Sequence, residues 1–142
     1  MLVRNKFDAS ITCGSVVNQF YLKNAKYAKK EKIYNISNFI DISEINNKNQ
    51  KEGTNDILEK FKIDQRKFIF GFIGRLSEQK GLIPFINELA KHKSKFKDCL
   101  FLLVGSGEQE QEIRQLIGRL EMEEMFILTG YQTDVYKYYS II

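Results

Sequence analysis

The sequence predicts an α/β fold built on a parallel, Rossmann-like sheet, and three observations carry that expectation. Short apolar runs recur in the second half of the chain at Phe68 to Ile73, Cys99 to Val104 and Met125 to Leu128. Each run ends at a glycine-bearing turn: Gly74, Gly105-Ser106-Gly107 and Thr129-Gly130. Helical periodicity resumes after each turn, and strand–helix alternation at this spacing argues a doubly wound unit with right-handed crossovers.

Composition bounds what such a chain can do. Its 142 residues are 43% hydrophobic and 28% charged, enough for one domain with a real core or for parts of two. No apolar run approaches bilayer-spanning length, and no charged start followed by an apolar core marks a signal peptide. The two cysteines, Cys13 and Cys99, sit in separate apolar runs and read as buried thiols of a reducing compartment. The single histidine, His92, lies among lysines on a helical stretch, which disfavours a histidine metal site or a Ser/His/Asp triad. A net charge of +4 suits an anionic ligand or surface and is too small to argue for nucleic acid.

Taken in order, Ala9 to Cys13 reads as a short strand ending at Gly14-Ser15. From Val16 to about Lys30 the pattern is helical, with Val17, Phe20, Tyr21 and Tyr27 on overlapping faces and Lys23, Lys26, Lys29 and Lys30 opposite. That lysine face has two readings: a solvated face of a core-packed helix, or a surface for an acidic membrane. Ile33 to Ser37 reads as a second strand, closed by Asn38-Phe39-Ile40-Asp41. Residues 42–55 turn polar and linker-like, and Asn55-Asp56 is placed to cap a short helix through Ile57, Leu58 and Phe61.

The most informative stretch runs from Phe68 to Gly81. An apolar strand of buried type breaks at Gly74, presents Arg75 and Lys80, and turns at Gly81. Leu82, Phe85, Ile86 and Leu89 then follow at i, i+3, i+4, i+7, with Pro84 in the first helical turn, where its missing N–H costs least. Ligands of open α/β sheets bind at the carboxyl ends of the strands, and a helix start offers free N–H groups to an anion. Arg75 adds a planar fork and Lys80 a point charge, the two common ways of holding phosphate oxygens. The plainer reading, two solvated loop cations, stands beside it, because the pattern is neither a Walker loop nor a GxGxxG fingerprint. The absence of GxGxxG after that strand, and of an acid closing the next, also disfavours a dinucleotide-binding domain.

The third unit repeats the scheme. Cys99 to Val104 is continuously apolar, as for a strand buried on both faces, and Ile113, Leu116, Ile117 and Leu120 form one helical stripe after Gly107. Met125 to Leu128 is the last strand, and a short helical piece spans Asp134 to Tyr139. Three such strands leave a central sheet edge unpaired, so the chain is expected to be a fragment, a truncated product or one part of a split protein.

These residues together resemble the family 4 glycosyltransferases of GT-B fold, which are retaining enzymes that use nucleotide sugars. Asn38-Phe39-Ile40-Asp41 resembles the Asn-Gly-Ile-Asp handover between the two domains, with Phe39 in place of Gly. Gly74-Arg75-Leu76-Ser77-Glu78-Gln79-Lys80-Gly81 is similar to the donor-phosphate loop, departing at Glu78, where Pro is common, and Gln79, where Glu is common. Val104-Gly105-Ser106-Gly107 is similar to the Val-Gly-x-Gly turn. Phe126 to Tyr131, followed by Asp134-Val135, resembles the strand and loop near the nucleobase. The likeness runs from Asp8 to the end in the family's order.

The resemblance implies an incomplete Rossmann-like sheet of GT-B type, divided as 1–41 (end of the acceptor domain), 42–66 (linker and short helix) and 67–142 (first half of the donor domain). It implies a nucleotide-diphosphate sugar, UDP-linked, as substrate, with no cofactor and no metal. Arg75 and Lys80 are the implied catalytic pair, neutralising the leaving diphosphate where other transferases use a metal ion. Gly74, Gly105, Gly130 and Tyr131 join them in the donor site, Gly74 by letting the backbone approach the phosphates. The implied acceptor is a sugar or lipid-linked glycan, in polysaccharide or glycoconjugate assembly, and nucleic acid is not expected. The expected location is cytoplasmic, and it is the lysine face of residues 16–30, not the resemblance, that offers peripheral contact at the inner membrane surface. The family's two-glutamate motif would lie past Ile142 and most of the acceptor domain before Met1, so a complementary chain is expected to supply the rest, and this chain alone to be inactive. The competing class is a non-catalytic remnant or interaction module.

Overall fold

The strand Cys99–Val104 is the spine of the larger unit. In the computed structural model, which describes residues 9–24, 32–43 and 54–142, the chain divides into two compact units, 1–42 and 43–142. In the first, β1 (Ser10–Thr12) pairs in parallel with β2 (Ile33–Asn35), and α1 (Ser15–Asn24) lies between them in sequence. Thr12 is buried here, its hydroxyl 3.1 Å from Asn18 Oδ1 and 3.3 Å from Asn35 Oδ1.

In the second unit α2 (Thr54–Lys60) precedes β3 (Phe68–Ile73), α3 (Leu82–Ala90), β4 (Cys99–Val104), α4 (Glu110–Arg119), β5 (Phe126–Gly130) and the single turn α5 (Tyr136–Tyr139). The sheet is parallel with order β3-β4-β5. Every residue of β4 after Cys99 is buried, because helices cover both of its faces. Phe101 and Leu103 face a core with Leu82, Ile86 and Leu89 of α3 and Ile113, Leu116 and Ile117 of α4. Leu100, Leu102 and Val104 face the opposite core, with Ile57, Ile63 and Tyr138. Alternation along one strand thus feeds two layers, and each fully buried Leu or Ile contributes about 1.5–3 kcal/mol. Burial pushes the Tyr138 phenol up, and its hydrogen bond with Thr129 works against that shift.

Register places three phenylalanines in a row. Phe70 pairs with Phe101 and Phe101 with Phe126, and the rings stack at 5.2 and 5.1 Å. Phe85 and Phe96 meet Phe101 edge-on at 5.7 and 6.3 Å. Such pairs add about 0.5–1.5 kcal/mol beyond their buried area.

Several expectations need correction. β3 is not a buried strand: it is an edge in this sheet, with Phe68 66% and Phe70 42% exposed. Its apolar composition matches that of β4, but only the strand order decides which run has two neighbours. Cys13 is exposed and Cys99 half-buried, so neither is a fully buried thiol. Asn55 and Asp56 lie inside α2, which starts one residue earlier. Phe85, at the margin of its stripe, is partly exposed, while Leu82, Ile86 and Leu89 are buried. No residue of α1 is buried within the described structure, and Val16 and Phe20 are exposed. Tyr27, Lys26, Lys29 and Lys30, with most of the linker, lie outside the described residues.

Candidate functional site

The three turns at the carboxyl ends of β3, β4 and β5 are tied together through their backbones. Gly74 N–H donates to Val104 O at 2.9 Å and Leu76 N–H to Ser106 O at 2.9 Å, while Gln109 N–H donates to Leu76 O at 3.1 Å. Gly105 N–H donates to Gly130 O at 3.0 Å, which brings in the third turn. Contact this close excludes side chains. A Cβ on Gly105 would fall 2.0 Å from Gly74 O, and one on Gly107 would fall 2.3 Å from Leu76 O. Gly105 also has φ +135°, which disfavours any L side chain.

Leu76 anchors the basic loop. It is fully buried in the α3/α4 core, and Ser77 beside it is buried too. Arg75 therefore projects from a fixed point, and its side chain is 73% exposed. Residues Glu78–Lys80 form one 3₁₀ turn that ends on Gly81 at φ +67°, and α3 begins at Leu82. Lys80 is exposed and forms no ion pair among the described residues. A Cβ on Gly74 would meet nothing closer than Phe72 Cζ at 3.4 Å, so the packing of its neighbours does not demand glycine there.

Charge separates the two helix starts at this edge. The first turn of α3 holds no acid, whereas that of α4 holds Glu110 and Glu112, with Glu108 just before it. Acids at a helix start stabilise the helix through its dipole and repel an anion from the same N–H groups. The Arg75–Leu82 side, with Arg75, Lys80 and the single acid Glu78, is thus the less acidic of the two. Glu108 takes part more directly: Arg75 Nε donates to Glu108 Oε2 at 3.1 Å, with Arg75 Nη2 also 3.1 Å from that oxygen. Both side chains are exposed, so the pair contributes only ~0–1 kcal/mol. Sequence reasoning missed Glu108, and it read Gly107 as part of the turn without placing it in the site. An acid near a helix start reads as a dipole partner, and only the register of the two loops brings it to Arg75.

Gly130 holds φ +72° in open space, so its requirement is conformational. Tyr131 after it is 74% exposed, and Gln132 Nε2 donates to Thr129 O at 2.9 Å to brace the turn. Of the residues expected to form a site, Gly74, Gly105 and Gly130 thus converge by backbone contact, with Arg75 next to Gly74 and Lys80 one turn further along the same loop. A groove lined by Lys67, Lys93, Lys97, Glu121, Glu124 and Met125 opens at the amino ends of the strands, away from this edge. In parallel α/β sheets ligands bind at the carboxyl end, which favours the turns over the groove. No cluster of His, Cys, Asp and Glu suited to a metal occurs among the described residues, and no described helix is long and apolar enough to cross a membrane.

Known proteins share this fold. A glycosyltransferase of Rickettsia africae superposes with a TM-score of 0.74 at 21% identity, over 94% of this chain and 36% of its own. Anabaena HepE, solved in complex with UDP and glucose, superposes with a TM-score of 0.71 at 24% identity, over 96% of this chain and 37% of its own. The fold is α/β with a Rossmann-like parallel sheet of GT-B type. An uncharacterised glycosyltransferase of Methanocaldococcus jannaschii is 31% identical over 87 residues, 60% of this chain and 21% of the relative. Glycogen synthase of Flavobacterium johnsoniae is 40% identical over 81 residues, 56% of this chain and 15% of the relative. The chain therefore matches about a fifth or less of these relatives' lengths. Residues 53–142, more than half of the chain, match the family model described as glycosyl transferases, group 1, and the chain belongs to that family.

Proposed function

We propose that this chain carries the donor-diphosphate cradle of a retaining, family 4 glycosyltransferase that uses a UDP-sugar. The observation that carries the reading is the backbone-locked loop of Gly74 to Gly81, which presents Arg75 and Lys80 beside an acid-free helix start. HepE is solved with UDP, with UDP and glucose, and with UDP-glucose, which supports UDP as the donor nucleotide. Within this reading residues 1–41 close the acceptor domain, 42–66 link, and 67–142 begin the donor domain.

Transfer of a sugar leaves negative charge on the departing diphosphate. The Arg75 fork and the Lys80 ammonium would meet that charge with pre-placed donors, and the free N–H groups of the first turn of α3 would add to it. Gly74 would let the phosphates approach the backbone, and Gly130-Tyr131 would border the base. The pair does the work of a metal ion, so none is required. The acceptor is a sugar or a lipid-linked glycan, and the setting is cytoplasmic with contact at an acidic membrane surface.

Calorimetry with UDP, GDP, UMP and uridine tests the reading. A preference for UDP over UMP and uridine is the expected result, since the cradle grips the diphosphate. Equal affinity for UDP and uridine, or no binding by a folded chain, would favour the non-catalytic module.

A further inference from the structure

The Arg75–Glu108 pair sits on backbone that cannot easily move. Leu76, next to Arg75, donates to Ser106 O and accepts from Gln109 N, and Gly107, next to Glu108, abuts the Leu76 carbonyl. Any change at this pair is therefore confined to the side chains. Arg75 presents Nε and Nη2 together to a single carboxylate oxygen, Glu108 Oε2. That edge of the guanidinium is one with which it would grip a phosphate in a two-point contact.

We infer that Glu108 is a positioning residue that competes with the donor for Arg75, holding the guanidinium in the ligand-free chain and yielding it to a diphosphate. This rests on the diphosphate reading above. Two features favour competition over permanent pairing. Both partners are largely exposed, 73% and 54% in their side chains, so water and ions screen the pair and it opens at little cost. A diphosphate also carries more charge than one carboxylate and meets Lys80 on the same loop, so it outbids Glu108 where a weak anion does not. Glu108 thereby keeps the fork from adventitious anions and in the orientation the donor needs.

The test is a double-mutant cycle read by calorimetry with UDP and with inorganic pyrophosphate, using the wild type, Glu108→Gln, Arg75→Ala and the double variant. Glu108→Gln keeps the size and removes the charge, and it is expected to tighten both ligands ~1.5- to 5-fold, a surface ion pair's range. In the Arg75→Ala background the same change should have a clearly smaller effect. The Arg75 Nε–H resonance of the ligand-free chain provides a second readout, and it should shift in Glu108→Gln. Binding that Arg75→Ala weakens while Glu108→Gln leaves unchanged or weakens would overturn the competition and spare the diphosphate reading. An unshifted Arg75 resonance would do the same. Absence of binding by every form would remove the diphosphate reading and this inference with it.

Discussion

Gly105 and Gly74 touch through their backbones, so closely that a Cβ on Gly105 would lie 2.0 Å from the Gly74 carbonyl oxygen. The contact clamps the turn after β4 against the turn after β3, and Arg75 leaves the chain one residue from it. Replacing Gly105 with Ala must either part the loops or strain a φ of +135°. It should cost about 2–4 kcal/mol of stability in urea unfolding. Gly130→Ala, at φ +72° with no atom within 4 Å, should cost only about 1–2 kcal/mol. Equal costs would mean that the two turns are not in contact.

The sheet order makes a second prediction. Leu102 of β4 is fully buried, and Leu102→Ala should destabilise by about 3–5 kcal/mol through lost burial and a cavity. A loss below about 1 kcal/mol would show that β4 is not the central strand.

Legibility differed between the strands for a physical reason. β4 was readable because a continuous apolar run has few other ways to bury itself. β3 has a similar composition, but whether Phe68 and Phe70 are covered depends on what pairs with the strand's other side, and a local pattern does not contain that. The glycine turns and the cations Arg75 and Lys80 were readable as types and spacings. The contacts of Gly107 with Leu76, and of Glu108 with Arg75, arise from the register of separate loops and leave no local trace. Cys13 was misread because its apolar neighbourhood is only a short strand whose central Ile11 is itself exposed.

The exposed edge of β3 should be adhesive. Phe68 and Phe70 stand 4.9 Å apart on a strand with no partner on its outer side among the described residues. Unpaired apolar edges template association. Phe68→Lys should lower self-association in sedimentation velocity while costing only about 0.5–1.5 kcal/mol of unfolding free energy, the loss of its pairing with Phe70. Unaltered sedimentation would place any association elsewhere.

One pH dependence follows from the loop before β3. The side-chain and backbone hydrogen bonds from Arg66 lower the Asp64 carboxyl from 3.8 to about 2. A depressed carboxyl stabilises the fold above its unfolded value and loses that effect as pH falls through its folded value. The contribution should therefore be complete above pH 3.8 and fade towards pH 2. Asp64→Asn should flatten that part of a Tm-against-pH curve, and an unchanged slope between the two values would contradict the pairing. The effect is small, because the pair lies at the surface, with Arg66 90% exposed, and water screens it.

The central claim is that Arg75 and Lys80 hold a diphosphate, and calorimetry of UDP binding to Arg75→Ala and Lys80→Ala tests it most directly. Charge-assisted hydrogen bonds are worth ~1.5–3 kcal/mol each, so each substitution should weaken UDP roughly 10- to 100-fold with little change in stability. UDP affinity that survives both substitutions in folded protein would contradict the account and move the donor site away from this loop.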